Sequence, residues 1–124
     1  MIKEKLIKSS YRQAKKEVCG FIVLDNEDFD FVQVENLAED KESEFFISAK
    51  TFLYTKENHN VVAVFHSHPS GDENPSDFDK NCSEAACYPF VIFSNNTQKF
   101  STYTPEYLET EKQVIEKLEA ELCK

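Results

Sequence analysis

His66-Ser67-His68-Pro69, with Ser76 and Asp79 after it, reads His-x-His, seven residues, Ser, two residues, Asp. Two histidines two apart on a strand point to one face, because side chains alternate with period two. Ser76 and Asp79, three apart, share a face if they lie on a helix. Two imidazoles and a carboxylate are a common catalytic zinc set, in which a fourth position stays open for water.

Each piece also has a plainer reading. A His-x-His pair alone is weak evidence of a metal. Ser76-Asp77-Phe78-Asp79 alone reads as a helix cap, with a serine bonding backbone N–H groups and an acid three residues on. Such a cap is worth only ~1 kcal/mol and implies no chemistry. Asp79 can also stand in a first helical turn for dipole reasons alone. The combination at fixed spacing is what points to a centre. The connecting Pro69-Ser70-Gly71-Asp72-Glu73-Asn74-Pro75 is full of turn formers and can bring the helix start back to the strand end.

The elements that would position these residues follow from periodicity. Asn60-Val61-Val62-Ala63-Val64-Phe65 is β-branched and apolar, so a buried strand is expected over Val61–His68. Residues 76–87 are expected as a helix with Cys82 on its inner side. Residues 2–15 place Ile2, Leu6, Ile7, Tyr11 and Ala14 at helical spacing. Cys19–Leu24 is a short apolar run expected as a central strand. Residues 28–34 alternate through Phe29, Phe31, Val32 and Val34 as a second strand, with Asn26 in the turn between. Glu44–Ile47 is expected as a third strand, and Ser48 as the cap of a short helix carrying Phe52, Leu53 and Tyr54. Residues 89–94 and 99–103 are expected as strands joined through Asn95-Asn96. Thr104 then caps a last helix with Pro105 at its first position. Leu108, Ile115, Leu118 and Leu122 form its apolar seam, expected to pack within the chain. The order is α-β-β-β-α-β-α-β-β-α, which implies an α/β or α+β sandwich around a mostly mixed sheet.

Composition narrows the function classes. The 124 residues are read as one domain, 1–124, long enough for a real core. A formal charge of −9 argues against a sequence-independent grip on nucleic acid, which needs Lys and Arg at phosphates. The longest apolar runs are far too short to span a bilayer, so no membrane partner is expected. Met1-Ile2-Lys3-Glu4-Lys5 does not read as a secretory leader. Cys19, Cys82, Cys87 and Cys123 contain no Cys-x-x-Cys pair, and free thiols in a reducing cytoplasm are the expectation. A structural zinc on Cys19, Cys82 and Cys87 is the alternative use of these thiols. His59, in the polar stretch Glu57-Asn58-His59-Asn60, reads as an exposed loop histidine.

A centre of this kind needs a proton carrier. Glu17 is the candidate, although in Lys15-Lys16-Glu17 it also reads as one solvated acid. The chain has two glycines, Gly20 and Gly71. Glycine in a strand often marks close backbone approach, so Gly20 suggests that something needs room beside Glu17.

With these residues in view, the chain resembles the JAMM (MPN+, or Mov34/MPN/PAD-1) metalloprotease family. The likeness rests on Glu17-Val18-Cys19-Gly20-Phe21-Ile22, His66-Ser67-His68-Pro69 and Pro75-Ser76-Asp77-Phe78-Asp79, and runs from the first helix to about Ser94. It implies an MPN/JAB (cytidine deaminase-like) domain, with a mixed β-sheet flanked by helices. It also implies His66, His68 and Asp79 as ligands of one zinc ion per chain. By the same likeness, Glu17 is the acid that deprotonates the zinc water, and Ser76 steadies the tetrahedral oxyanion. The implied activity is hydrolysis of a peptide or isopeptide bond, often at the tail of a ubiquitin-like protein. Residues 82–94 resemble the small bacterial and phage members, in particular the peptidase domain of lambda-type tail-assembly proteins. His68-Pro69-Ser70-Gly71-Asp72 is similar to the RadC-like branch, whose further Asp-His is replaced here by Phe90–Ser94. The chain is short for the insertions by which eukaryotic deubiquitinases grip ubiquitin, so a different or smaller protein or peptide partner is expected. A cytoplasmic location is expected, in the host or on the virion if the chain is phage-encoded.

The rival reading is a non-catalytic scaffold of the same fold in a tail or other assembly. Inactive relatives typically lose ligands, and here all five positions are filled. A zinc deaminase would need His-x-Glu and Pro-Cys-x-x-Cys, which His66-Ser67-His68 does not supply.

Overall fold

The structure is a computed structural model describing residues 1–108 and 112–123. Its elements are helix α1 (Ile2–Arg12), strands β1 (Cys19–Asp25) and β2 (Asp28–Val34), helix α2 (Ala49–Asn58), strand β3 (Val61–His68), helix α3 (Asp77–Ala86), strands β4 (Phe90–Ser94) and β5 (Phe100–Tyr103), and helix α4 (Lys112–Leu122). Together they form a mixed α+β fold with a five-stranded sheet in the order β2-β1-β3-β4-β5. β1 pairs antiparallel with both β2 and β3, and β4 with β5, whereas β3 and β4 run parallel. A parallel pair needs a crossover, and α3 supplies it.

β1 and β2 form a hairpin whose turn residues, Asn26 (φ 52°) and Glu27 (φ 69°), both take the left-handed conformation, the backbone of a type I′ connection. β3 lies between two strands and is covered on both faces, which is why its sequence is a near-continuous apolar run. On one face Ile2 and Leu6 of α1 and Ile115, Leu118 and Leu122 of α4 pack over Ile22, Phe65, Val91 and Phe93. On the other, Phe21, Val64 and Phe90 meet Phe45, Ile47, Phe52 and Tyr88. Among the described residues no helix is long and apolar enough to cross a membrane.

Several expectations are corrected. Glu44–Ile47 is not a strand. Its only backbone pairing to residues 35–38 is Leu37 N–H to Phe46 O at 2.9 Å; the Glu44 N–H turns back to Asp40 O at 3.0 Å, and the Asn36 side chain takes the Glu44 carbonyl and the Phe46 N–H. The first helix ends at Arg12, so Ala14 lies beyond it and is exposed. Residues 104–108 form a turn, with Leu108 N–H donating to Pro105 O at 3.0 Å, in place of a capped helix start. Gly20 does make room, but for β2: a Cβ there would stand 2.3 Å from Val32 O and 2.6 Å from Phe31 Cε1.

Candidate metal centre

The period-two geometry of β3 sends Ala63 and Phe65 into the α1/α4 core and Val64 into the opposite one. His66 and His68 leave the strand on the same side as Val64. Ser67, between them, points the other way and ties the strand end to the chain before β1. Its hydroxyl accepts from Val18 N–H, and its own N–H donates to Val18 O, each at 2.9 Å. Glu17 is thereby brought to the carboxyl end of β3. Its N–H donates to Lys41 O at 2.6 Å, and its carbonyl accepts from Asn36 Nδ2 at 3.0 Å.

α3 delivers Asp79. Ser76 is the N-cap, and Ser76 and Asp79 form a reciprocal capping box. The box leaves the Asp79 carboxylate facing both histidines: Oδ1 lies 3.1 Å from His66 Nε2, and Oδ2 lies 3.2 Å from His68 Nε2. One donor atom from each residue falls within 4.8 Å of the others, and among the described residues this is the group that could hold a metal ion. Cys19, Cys82 and Cys87 form no such group among the described residues. Burial and the Glu17 carboxylate also push the Cys19 thiol up to about 12, far from the thiolate a metal needs.

The donor set fits a metal on a further observation. His66 is fully buried, and neither ring nitrogen has a hydrogen-bond partner, since the 3.1 Å approach of Nε2 to Asp79 lies off hydrogen-bond geometry. Unpaired buried polar groups are costly, and a cation held by His66 and Asp79 would give Nε2 the partner it lacks. The ring is held by packing, stacked on Phe45 at 4.5 Å and edge-on to Phe90 at 5.5 Å. His68 is oriented by a hydrogen bond, its Nδ1 lying 2.8 Å from Asp72 O. A carbonyl only accepts, so Nδ1 carries the proton and Nε2 faces the cluster.

Electrostatics treat the two rings differently. Burial lowers the His66 pKa and keeps the ring in the neutral form that binds metals. Burial also opposes charge on His68, but Asp79, the Asp72 carbonyl and Glu17 outweigh it and raise its pKa. Burial works against Asp79 too, yet the two imidazoles and the Ser76 amide hold its carboxyl well below the usual carboxylate range. Burial pushes Glu17 from its ordinary 4.5 up to about 8; His68 opposes the rise, and Asp79, Glu44 and Asp40 add to it.

Glu17, His68, Ser76 and Asp79 line one cavity of about 490 Å³, walled also by Glu42, Glu44, Phe45 and Phe78. His66 sits behind it, closed off from solvent. Glu17 is 6% exposed, and its carboxylate has no hydrogen-bond partner among the described residues. The Ser76 hydroxyl accepts from the Asp79 amide at 3.0 Å, which leaves its proton free to donate into the cavity. Four of the five residues singled out in the sequence therefore line one space, and the fifth, His66, stands behind it against Asp79.

Three positioning groups escaped the sequence reading. Asn36 uses all four of its hydrogen-bonding positions: Nδ2 to the carbonyls of Glu17 and Glu44, Oδ1 from the amides of Ala38 and Phe46. Phe45 packs on His66, and the Asp72 carbonyl fixes His68. The first two join residues far apart along the chain, so no local pattern could signal them. His59 is also more than a loop residue: it caps α2, and its Nδ1 lies 2.6 Å from Asp25 Oδ2.

The sequence profile of the prokaryotic homologues of the JAB domain matches residues 2–105. Over 79 residues the chain is 28% identical to the tail tip assembly protein K of Escherichia phage N15, a match covering 64% of this chain and 32% of that protein. The chain thus spans about a third of the length of that curated relative. Among solved structures, a protein from Desulfitobacterium hafniense superposes with a TM-score of 0.59 at 22% identity, over 80% of this chain and 75% of that one. A JAB1/MPN domain protein from Archaeoglobus fulgidus gives 0.57 at 13% identity, over 83% of each. These two likenesses are of fold.

Proposed function

The chain belongs to the prokaryotic homologues of the JAB domain, and from that premise we propose that it is a zinc-dependent metallopeptidase cleaving a peptide or isopeptide bond. His66, His68 and Asp79 would hold the zinc. The observation that carries the reading is the unpaired, buried Glu17 carboxylate lining the same cavity as His68 and Asp79. A structural acid at such a depth would be expected to have a partner.

When bound, zinc supplies a Lewis acid and makes water acidic near neutral pH. Glu17 takes the proton of the attacking water on its carboxylate and gives it to the leaving amine nitrogen. Positioned acid–base catalysis of this kind is typically worth about 10²–10⁴ in rate. The Ser76 hydroxyl donates to the substrate carbonyl oxygen as charge develops on it, worth on the order of 10²–10³. Phe45 and Phe78 offer apolar contact for the substrate chain beside the reacting carbonyl.

The phage relative is named for tail tip assembly, and a protein of such an assembly is the substrate setting we put forward. The test has two parts. Metal content is measured on wild type and Asp79→Ala purified without added metal. Zinc-loaded wild type and Glu17→Gln are then incubated with a proteome-derived peptide mixture read by mass spectrometry. Zinc in the wild type, lost in Asp79→Ala, with cleavages absent in Glu17→Gln, supports the reading. Folded wild type that takes up no zinc when offered it would leave a binding module of the same fold.

A further inference from the structure

β3 and β4 run parallel with His68 opposite Ser94, so the strand carrying both histidines ends beside a fully buried serine. The Ser94 hydroxyl accepts from the amides of Asn96 (3.1 Å) and Thr97 (3.0 Å) in the β4–β5 turn. It donates its one proton to Gly71 O at 2.8 Å. Gly71 has φ +83°, where a side chain would be strained, so this carbonyl is aimed by a conformation suited to glycine. The next carbonyl, that of Asp72, receives His68 Nδ1–H. One residue further, Glu73 is tethered twice by the same hairpin. Thr97 Oγ1 donates to its carboxylate at 2.7 Å, and the Ser101 hydroxyl donates to its carbonyl. Asn95 N–H also donates to His68 O at 3.0 Å.

We propose that Ser94, supported by Thr97 and Ser101, is a positioning residue for the metal centre, acting through Gly71 and Asp72 to fix the ring plane and protonated nitrogen of His68. The inference rests on the reading of His66, His68 and Asp79 as metal ligands. Ser94, Thr97 and Ser101 are not among the cluster residues, yet together they hydrogen-bond the loop that joins His68 to Ser76 at Gly71 and Glu73. The physical reason is general: an imidazole ligand gains affinity when its other nitrogen is held in one tautomer and one orientation.

The test reads zinc affinity, by competition with a chromogenic chelator, and the tautomer of His68, by ¹⁵N NMR of the metal-free protein at alkaline pH. Neither needs a substrate. Ser94→Ala is expected to bind zinc about ten- to a hundredfold more weakly and to show a mixture of His68 tautomers. Ser101→Ala and Thr97→Val, which leave the buried Ser94 in place, are expected to weaken zinc in the same direction by less. Ser10→Ala serves as the control, because that buried hydroxyl is spent on Leu6 O within α1; it is expected to keep wild-type affinity. A folded Ser94→Ala protein with wild-type zinc affinity and a single Nδ1–H tautomer overturns the inference while leaving the metal reading intact. Should Ser94→Ala not fold, unchanged affinity in both Ser101→Ala and Thr97→Val overturns it instead. Wild type that binds no zinc overturns the metal reading and this inference with it.

Discussion

Ser76 and Asp79 hold each other: the Asp79 amide donates to the Ser76 hydroxyl and the Ser76 amide to the Asp79 carboxylate, both at 3.0 Å. The same carboxylate faces His66 and His68. A helix cap and a ligand mount are here one piece of geometry, so the plain and the chemical readings of Ser76-Asp77-Phe78-Asp79 describe the same atoms.

The two roles separate in mutants. Ser76→Ala removes half the cap and the free hydroxyl but no ligand. Metal-free protein is expected to lose ~1 kcal/mol in urea unfolding and to keep its zinc. Turnover of a confirmed substrate is expected to fall on the order of 10²–10³-fold. Asp79→Ala is expected to lose the zinc itself. Full turnover in zinc-loaded Ser76→Ala would confine Ser76 to capping.

Glu17 makes a prediction about stability and pH. Its pKa is about 8 when folded, against an ordinary 4.5. Below the lower value both states are protonated and the group is neutral to stability. Between the two, the unfolded chain ionises while the folded one keeps its proton, so the folded state binds more protons and stability falls as pH rises. At neutral pH the penalty is about 3 kcal/mol. Glu17→Gln removes it at the cost of no hydrogen bond seen among the described residues. Metal-free Glu17→Gln should therefore be more stable than metal-free wild type, by a margin that grows from acid to neutral pH in urea titrations. A margin independent of pH would mean that Glu17 is solvated. Bound zinc should shrink the margin, because a nearby dication favours the carboxylate.

Gly20 gives a packing prediction. A Cβ at this position would meet backbone, Val32 O at 2.3 Å and Gln33 Cα at 2.9 Å. Backbone in the middle of a ladder cannot swing aside as a side chain can. Gly20→Ala should cost about 3 kcal/mol or more, a large share of a small domain's stability. A melting temperature near wild type would show that β2 can move away from β1.

Much of this architecture could be read from local pattern. The bounds of β3 follow from an unbroken apolar, valine-rich run that ends in His66-Ser67-His68. Those of α3 follow from Ser76, whose cap is a property of four consecutive residues. The β1–β2 turn follows from Asn26, one of the few residue types that tolerates positive φ. What escaped notice depends on distant side chains. Phe45 and Ile47 alternate as a strand would, but Asn36 satisfies the backbone around them, and the segment forms a wall of the cavity in place of a sheet edge. His59 looks solvated until the hairpin end brings Asp25 to it. The role of Ser94 is invisible until parallel pairing sets it opposite His68.

Asn36 carries the last prediction. Its amide nitrogen ties the Glu17 carbonyl to the Glu44 carbonyl, while its oxygen receives Ala38 and Phe46. Asn36→Ala frees the Glu17 peptide and the segment bearing Phe45 but leaves the ligands on β3 and α3. Zinc content is expected to stay at the wild-type level. Turnover is expected to fall about 10²-fold, the usual consequence of moving a reacting group by about 1 Å, with the loss mainly in kcat. Asn36→Asp keeps both accepting roles but sets a carboxylate against two carbonyls, so it should be no better than alanine. That outcome would identify the two donated hydrogen bonds as the ones that matter. Wild-type kcat in both variants, each folded and zinc-loaded, would mean that Val18 and Ser67 alone place Glu17.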